Sequence, residues 1–179
     1  MRKLRHEEIS RPSMDEAKLL PKHPVTVVLD DVRSVYNVGA IFRTSDAVRI
    51  ERVLITGITA TPDNRGLHKT ALGAQDSVPW RYMATAGEAA STLKSGGYTI
   101  CALELTDAPT LTTRLPHSAF PVALVVGNEL TGVSDPVLKQ ADYALEIPQY
   151  GIKQSLNVAV AFGIAVYDLV RIWRKHSQP

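Results

Sequence analysis

The chain is poor in the residues that build disulfides and metal cages. Cys101 is its one cysteine among 179 residues, which excludes an internal disulfide and a cysteine-rich metal site. The five histidines are scattered along the sequence, and no two of them have the spacing of metal ligands, so we expect no zinc or iron site. Cys101 stands in an apolar, strand-like run, which indicates an inert thiol in the core.

Long apolar stretches are also missing. No run approaches the roughly 20 residues that a membrane-spanning helix needs. The basic start of the chain, residues 1–8, has no apolar segment behind it, as a signal peptide would have. We therefore predict a cytoplasmic protein without a membrane partner. The net charge of +2 is too small to indicate nucleic-acid binding by itself.

Common nucleotide-binding and hydrolase motifs are absent from the sequence. No G-x-G-x-x-G follows the first predicted strand, and no G-x-x-x-x-G-K-[ST] occurs anywhere, which argues against the usual phosphate-binding loops. The G-x-S-x-G turn that carries the nucleophile of many hydrolases is missing as well, which argues against a Ser-His-Asp hydrolase.

Short apolar runs alternate with segments of helical periodicity along most of the chain. Residues 25–29 form a β-branched run typical of a strand buried on both faces, and further strands are predicted at residues 52–56, 98–105, 122–126 and 143–147. Helices are predicted at residues 37–48, 65–72, 85–95, 134–140 and 155–173. This alternation predicts an α/β fold with a mostly parallel sheet of five or six strands and helices on both faces.

The composition changes once, near the N-terminus. Residues 1–24 are polar and interrupted by prolines, so we predict a flexible or partner-bound arm. Residues 25–176 are predicted to form a single domain, because no internal repeat or low-complexity linker divides them.

Glycines and polar side chains collect after three of the predicted strands. They fall in residues 37–44, 126–134 and 147–161. Ligands of open parallel sheets bind outside the carboxyl ends of the strands, so this repetition favours a ligand site. Taken alone, Asn37 indicates a helix cap and Arg43 a surface cation. Ser155 and Asn157 stand where the last helix begins and leaves main-chain N–H groups free.

At these three clusters the chain resembles the SpoU branch of the SPOUT superfamily, whose members are S-adenosylmethionine-dependent RNA 2′-O-ribose methyltransferases. The motifs that carry the resemblance stand in the family's order and extend over about residues 25–173. They are Asn37-Val38-Gly39 with Arg43, Gly127-Asn128-Glu129 with Gly132, and Ile147-Pro148 followed by Ser155-Leu156-Asn157-Val158. Each motif is weak alone, whereas the ordered set is specific.

The resemblance implies a SPOUT methyltransferase fold with a C-terminal trefoil knot at about residues 122–165, and an obligate homodimer. It also implies that S-adenosylmethionine binds in the knot loops, mostly through main-chain groups and without a metal. By position, the implied cofactor-binding residues are Leu103, Gly127, Asn128, Ile147 and Leu156.

The resemblance further assigns catalytic roles. Arg43 is the implied catalytic residue, and Asn37, Glu129, Ser155 and Asn157 are expected to orient Arg43 and the ribose. A ribose 2′-hydroxyl becomes a good nucleophile only when its proton is removed. Because a guanidinium normally keeps its own proton, two roles for Arg43 stay open: positioning the hydroxyl, or accepting its proton.

RNA is the partner that the resemblance implies. The predicted phosphate contacts are Arg11, Arg65, Lys69, Arg171 and Arg174. The short segment before the domain is similar to that of the compact tRNA-methylating members, so a D-loop guanosine of tRNA is the leading target. A wobble nucleotide of tRNA comes next, and then rRNA.

Two other functions and two roles for the last helix stay open. A catalytically silent, knotted RNA-binding module and a flavodoxin-like small-molecule binder are the rival functions. The apolar stripe of the last helix either forms a dimer interface or only covers the sheet. That stripe consists of Val158, Phe162, Ala165, Val166, Leu169 and Ile172.

Overall fold

The fold is built on one parallel sheet, seen in residues 1–10 and 12–177, which the computed structural model describes. Within them the sheet has seven strands: β1 (His23–Asp30), β2 (Ile50–Thr56), β3 (Trp80–Met83), β4 (Thr99–Leu103), β5 (Pro109–Leu111), β6 (Val122–Val126) and β7 (Tyr143–Glu146). Their order across the sheet is β3-β2-β1-β6-β4-β7-β5, and every neighbouring pair runs parallel. The predicted α/β class with a mostly parallel sheet is confirmed.

The helices connect these strands and cover the sheet. They are α1 (Met14–Leu19), α2 (Val35–Ala47), α3 (Arg65–Ala71), α4 (Ala74–Ser77), α5 (Ala86–Ser95), α6 (Asp135–Leu138) and α7 (Val158–Ser177). The first lies within the predicted N-terminal arm and is held by a capping box, in which the Ser13 and Glu16 side chains each accept a hydrogen bond from the other residue's main-chain N–H.

Side chains alternate between two apolar layers along the central strands. In β1, Val25, Val27 and Leu29 belong to the core formed with α2, α3 and α7, whereas Val28 belongs to the core formed with α5 and α6. Successive residues of a strand point to opposite faces, so a strand in the middle of a covered sheet is apolar along its whole length. This is why the run at residues 25–29 is recognisable in the sequence.

The sequence pattern does not predict the two edge strands, β3 and β5. Trp80, Arg81 and Tyr82 of β3 are exposed, and β5 has three residues, of which Pro109 is exposed. An edge strand pairs on one side only and is commonly short and polar, so such segments look like loops in sequence. The described residues therefore contain seven strands where five or six are predicted.

The last helix begins at Val158, three residues later than predicted, and packs against the sheet. Its residues Phe162, Ala165, Val166 and Leu169 have no exposed surface and belong to the core that includes β1 and β6. Of the two roles that the sequence leaves open for this stripe, the structure shows the covering one. No helix in the described ranges is long and apolar enough to cross a membrane. The trefoil knot stays a prediction.

Candidate functional site

A cavity of about 530 Å³ opens at the carboxyl ends of β4, β6 and β7. The three neighbouring strands end there and continue into loops, as expected for a ligand site of a parallel sheet. Its wall is formed by those strand ends, the loop after β6 and the segment that leads into α7. The lining includes Leu103, Glu104, Gly127, Asn128, Glu129, Glu146, Ile147, Ser155, Leu156, Asn157 and Val158.

The loop after β6 folds back on itself and leaves no room for a side chain at Gly127. Asn128 and Gly132 pair through two main-chain hydrogen bonds of 3.0 and 2.9 Å. A Cβ atom at Gly127 would lie closer than 3.0 Å to main-chain atoms of Gly132 and Val133. Gly132 itself has a φ of 71°, a conformation in which glycine is strongly preferred. These glycines therefore shape the cavity wall.

Two carboxylates outside the three motifs hold the end of this loop. The Val133 N–H donates to Glu104 Oε2 over 2.9 Å, and the Ser134 N–H donates to Asp30 Oδ2 over 2.8 Å. Asp30 is almost fully buried at 3% exposure. Neither Glu104 nor Asp30 is among the predicted site residues. Their partners lie far away along the chain, so no local sequence pattern indicates these hydrogen bonds. The one available signal was the position of Glu104 and Asp30 at the ends of β4 and β1.

A chain of side-chain hydrogen bonds joins the three motif segments beside the cavity. Asn37 Nδ2, on α2, donates to Glu129 Oε1 over 2.8 Å. Asn157 Nδ2 donates to Asn37 Oδ1 over 3.0 Å, and Asn157 Oδ1 accepts from the Ala159 N–H over 3.0 Å at the start of α7. Each amide thus donates in one direction and accepts in the other, so the network fixes the orientation of both asparagines.

The Glu129 carboxylate is the acceptor at the end of this chain. It also accepts main-chain N–H groups of Arg33 at 2.9 Å and Ser34 at 3.0 Å. Partial burial opposes ionisation of Glu129, but hydrogen bonds from Arg33, Asn37 and Ser34 outweigh it and hold the pKa of the carboxyl below its usual range. Glu129 is therefore an ionised acceptor at neutral pH, which suits an organising role better than that of a proton donor.

The structure brings most of the predicted site residues together. The five predicted cofactor-binding residues line the cavity, as do three of the predicted catalytic residues, Glu129, Ser155 and Asn157. Asn37 joins them through its hydrogen bonds. Arg43 lies further along α2, is exposed, and is not part of the lining. Among the described residues, the side chains of Arg43 and Ser155 have no hydrogen-bond partner.

The predicted RNA-binding residues lie on two helices away from the cavity lining. Arg65 and Lys69 are exposed on α3, and Arg171 and Arg174 are exposed on α7. Arg171 Nη1 is 3.1 Å from Asp168 Oδ1. Arg11 lies outside the described residues.

Neither a metal centre nor a reactive thiol is found in the part of the chain that the structure describes. It contains no group of three or more histidine, cysteine, aspartate or glutamate residues that could hold a metal ion. Cys101 is fully buried in β4, where burial and the negative charge of Asp142 raise the pKa of its thiol to about 12. The predicted core position of this thiol is confirmed, and its burial and raised pKa support the prediction that it is inert.

Comparison with known proteins gives a consistent result. Residues 24–167 match the model of the SpoU rRNA Methylase family. The tRNA (guanosine(18)-2′-O)-methyltransferase of Escherichia coli K12 is 32% identical over 147 residues, which cover 82% of this chain and 63% of that protein. The A. aeolicus TrmH/SpoU tRNA modifying enzyme superposes with a TM-score of 0.81 at 28% identity, covering 90% of this chain and 83% of the other.

A second solved structure contains a cofactor. The AdoMet-bound rRNA methyltransferase of Sinorhizobium meliloti superposes with a TM-score of 0.78 at 25% identity, covering 91% of this chain and 61% of that one. The chain spans 62% and 63% of the lengths of the first curated relatives that it matches.

Proposed function

This chain belongs to the SpoU rRNA Methylase family, and from that premise we propose that it transfers a methyl group from S-adenosylmethionine to a ribose 2′-hydroxyl of RNA. The observation that carries the proposal is the hydrogen-bonded chain of Glu129, Asn37 and Asn157. It joins one residue from each of the three motifs at the wall of one cavity, as a single site built from all three requires.

The cavity suits S-adenosylmethionine in size and in charge. Its volume of about 530 Å³ lies within the range of small-molecule sites. The lining contains the carboxylates Glu104, Glu129 and Glu146 and no lysine or arginine, which favours a ligand with cationic groups. Leu103, Gly127, Asn128, Ile147 and Leu156 would hold the cofactor. The tight turn at Gly127 exposes main chain rather than side chain on this wall.

The side chains divide into a fixed frame and two free groups. Glu129, Asn37 and Asn157 are fixed to one another and to the starts of α2 and α7. The Ser155 hydroxyl and the Arg43 guanidinium are unpaired among the described residues and are therefore available to RNA. A frame that is already ordered aligns the reacting groups without further loss of freedom.

The chemistry requires a 2′-hydroxyl that is held in line and deprotonated. S-adenosylmethionine, when bound, supplies a methyl group on a sulfonium, which is already activated toward nucleophiles. Ser155 would hold the ribose, and Arg43 would place positive charge beside the hydroxyl and an adjacent phosphate. Whether Arg43 only polarises the hydroxyl or also accepts its proton is decided by comparing the pH profiles of wild type and Arg43→Lys.

A tRNA is the proposed substrate, with a D-loop guanosine as the first target. The support is the similarity to the E. coli enzyme, which is named for guanosine 18 of tRNA. A wobble nucleotide of tRNA and rRNA are the second and third targets, and the S. meliloti enzyme is an example that acts on rRNA. The proposed place of action is the cytoplasm.

A homodimer completes the proposal. The stripe of α7 that was a candidate interface is buried in the chain's own core. Other apolar side chains remain exposed on the two helices that pack together there, α2 and α7. Tyr36 is 60% exposed, Val160 51% and Ile164 39%. These side chains form the proposed interface, because apolar surface exposed to solvent can mark a protein contact.

The proposal is tested by comparing Arg43→Ala with wild type. We expect the variant to lose transfer of labelled methyl to tRNA, while its affinity for S-adenosylmethionine in calorimetry stays within a few fold, because Arg43 does not line the cavity. Arg81→Ala, which removes an exposed arginine from β3, is the matched control and should retain transfer. Normal transfer by Arg43→Ala would contradict the assigned role.

A further inference from the structure

A second concavity, rich in cations, lies at the other end of α7. This groove has a volume of about 690 Å³ and is formed by the C-terminal end of α2, the start of β1 and the last turns of α7. Its lining includes Arg49, Arg171, Arg174, Lys175 and His23, and no carboxylate. Arg171, Arg174 and Lys175 are spaced three and four residues apart, so they share one face of the helix.

The cations of the groove are largely unpaired. Arg49, Arg174 and Lys175 make no side-chain hydrogen bond or ion pair with the residues that the structure describes. The nearby carboxylates are engaged elsewhere, since Asp168 accepts from Thr112 and Arg171 and Asp46 accepts from Ser77. Several unpaired cations in one concave surface repel one another, and an anionic ligand removes that repulsion.

Arg49 has a left-handed backbone conformation, which is unfavourable for an arginine. Its φ is 49°, and it follows directly after the C-cap of α2, a position where glycine is usual. Strained positions of this kind often mark functional residues. The strain fits a side chain that is needed for its charge.

The groove is held in place by neighbouring contacts. His23 Nδ1 donates to the Val48 carbonyl over 2.7 Å, and the His23 N–H donates to the Arg49 carbonyl over 2.9 Å. The end of α7 is anchored by Trp173, which stacks on His117 with ring centroids 5.0 Å apart and contacts Phe120 at 5.4 Å. The three cations of α7 thus project from an ordered helix rather than from a loose tail.

We propose that this groove binds the phosphodiester backbone of the RNA substrate at a distance from the methylated nucleotide. The inference rests on the proposed function and extends it, because Arg49, His23 and Lys175 have no role in the site at the cavity. Val158 lines the cavity and Lys175 lines the groove, so the two sites are about 25 Å apart along α7 at 1.5 Å per residue. That span suits a folded RNA, which can reach both sites at once.

The test measures the affinity for an unmodified, fluorescently labelled tRNA transcript over a range of KCl concentrations. The variant is Arg49→Gly with Arg174→Gln. We expect the slope of log affinity against log salt to fall by about 1 to 2, and the affinity at low salt to fall by about 10- to 100-fold. Glycine relieves the strain at residue 49, so thermal stability should be equal to or above that of wild type.

A matched control removes the same charge elsewhere. Arg81→Gln with Lys139→Gln takes two exposed cations from β3 and the end of α6, and it should leave the slope nearly unchanged. An equal slope in wild type and the groove variant would overturn the proposal and indicate that α7's cations only complement its dipole. Affinity lost only together with a changed oligomeric mass in light scattering would also overturn it, because the groove would then be a protein contact.

Binding and catalysis are read separately. A wild-type protein that shows the groove-dependent slope but transfers no methyl to any RNA would support the groove and contradict the proposed function. Active enzyme with a slope that does not depend on the groove would contradict the groove alone.

Discussion

Substitution of Gly127 by alanine is expected to damage the cavity. The new Cβ would lie closer than 3.0 Å to main-chain atoms of Gly132 and Val133, which no rotamer change can avoid. A packed interior has no spare volume for the new methyl group. The main chain of Gly132 and Val133 must therefore move by about 1 Å to restore ordinary contact distances to it.

The size of the effect follows from what must move. This movement of the main chain breaks the two hydrogen bonds of 3.0 and 2.9 Å between Asn128 and Gly132. Each lost bond costs about 1 kcal/mol of stability. Overpacking adds about 1 to 3 kcal/mol. We therefore expect the free energy of unfolding to fall by about 3 to 5 kcal/mol and the Tm by about 6 to 20 °C. The cofactor affinity should fall at least tenfold, since the displaced segment lines the cavity.

Gly151→Ala is the matched control. It is the same chemical change in the loop between β7 and α7, at a glycine whose added Cβ would meet nothing within 4 Å. Thermal unfolding and calorimetric titration with S-adenosylmethionine are the assays. Wild-type affinity and Tm in Gly127→Ala, or equal losses in both variants, would refute the reasoning that main-chain crowding at Gly127 shapes the cavity.

Three further predictions concern Glu129, Asn157 and Cys101. Because the pKa of Glu129 is lowered in the folded state, its stabilisation is present above the ordinary glutamate pKa of about 4.3 and is lost as the pH falls through the folded-state value. Denaturation of wild type and Glu129→Gln at several pH values should therefore give free energies of unfolding that converge in acid. A difference that stays constant with pH would contradict this. Asn157→Ala should lose about 1 kcal/mol of stability, because Asn157 caps α7. Asn157→Asp should keep this cap but lose the hydrogen bond that it donates to Asn37, and with it methyl transfer. Full methyl transfer by Asn157→Asp would contradict the role of the hydrogen-bonded frame. Cys101 should not react with a maleimide until the protein unfolds, because its thiol is fully buried and its pKa is raised to about 12; mass spectrometry checks this. Cys101→Ser should leave methyl transfer intact, which the transfer assay checks.

The central sheet could be predicted from the sequence because its strands are covered on both faces. Residues 25–29 and the run that forms β6 are buried throughout and, apart from Thr26, apolar, which leaves few alternatives to a buried strand. The edge strands could not be predicted in this way. In β3, for example, Trp80, Arg81 and Tyr82 are exposed to solvent. The start of α7 at Val158 rather than Ser155 follows from the cap, because Asn157 bonds the first free N–H groups of the helix.

The site was partly predictable for a different reason. The motif residues share local patterns that a resemblance can detect, and the structure gathers them around one cavity. Glu104 and Asp30 have no such pattern, and they act on Val133 and Ser134, which lie 29 and 104 residues away along the chain. The groove has the same character, because Arg49 and Arg174 line it together although they are far apart in the sequence. Contacts of this kind depend on the fold and cannot be recognised in a local segment.

The most direct test of the central claim is the chemical position of the transferred methyl group. Unmodified tRNA and, separately, rRNA are incubated with the protein and methyl-labelled S-adenosylmethionine, and the RNA is then hydrolysed in alkali. Alkaline cleavage uses the ribose 2′-hydroxyl as its nucleophile, so a 2′-O-methyl group protects the adjacent linkage. We expect label in an alkali-resistant dinucleotide from tRNA. Label in mononucleotides, which indicates a methylated base, or no label in either RNA would contradict this expectation.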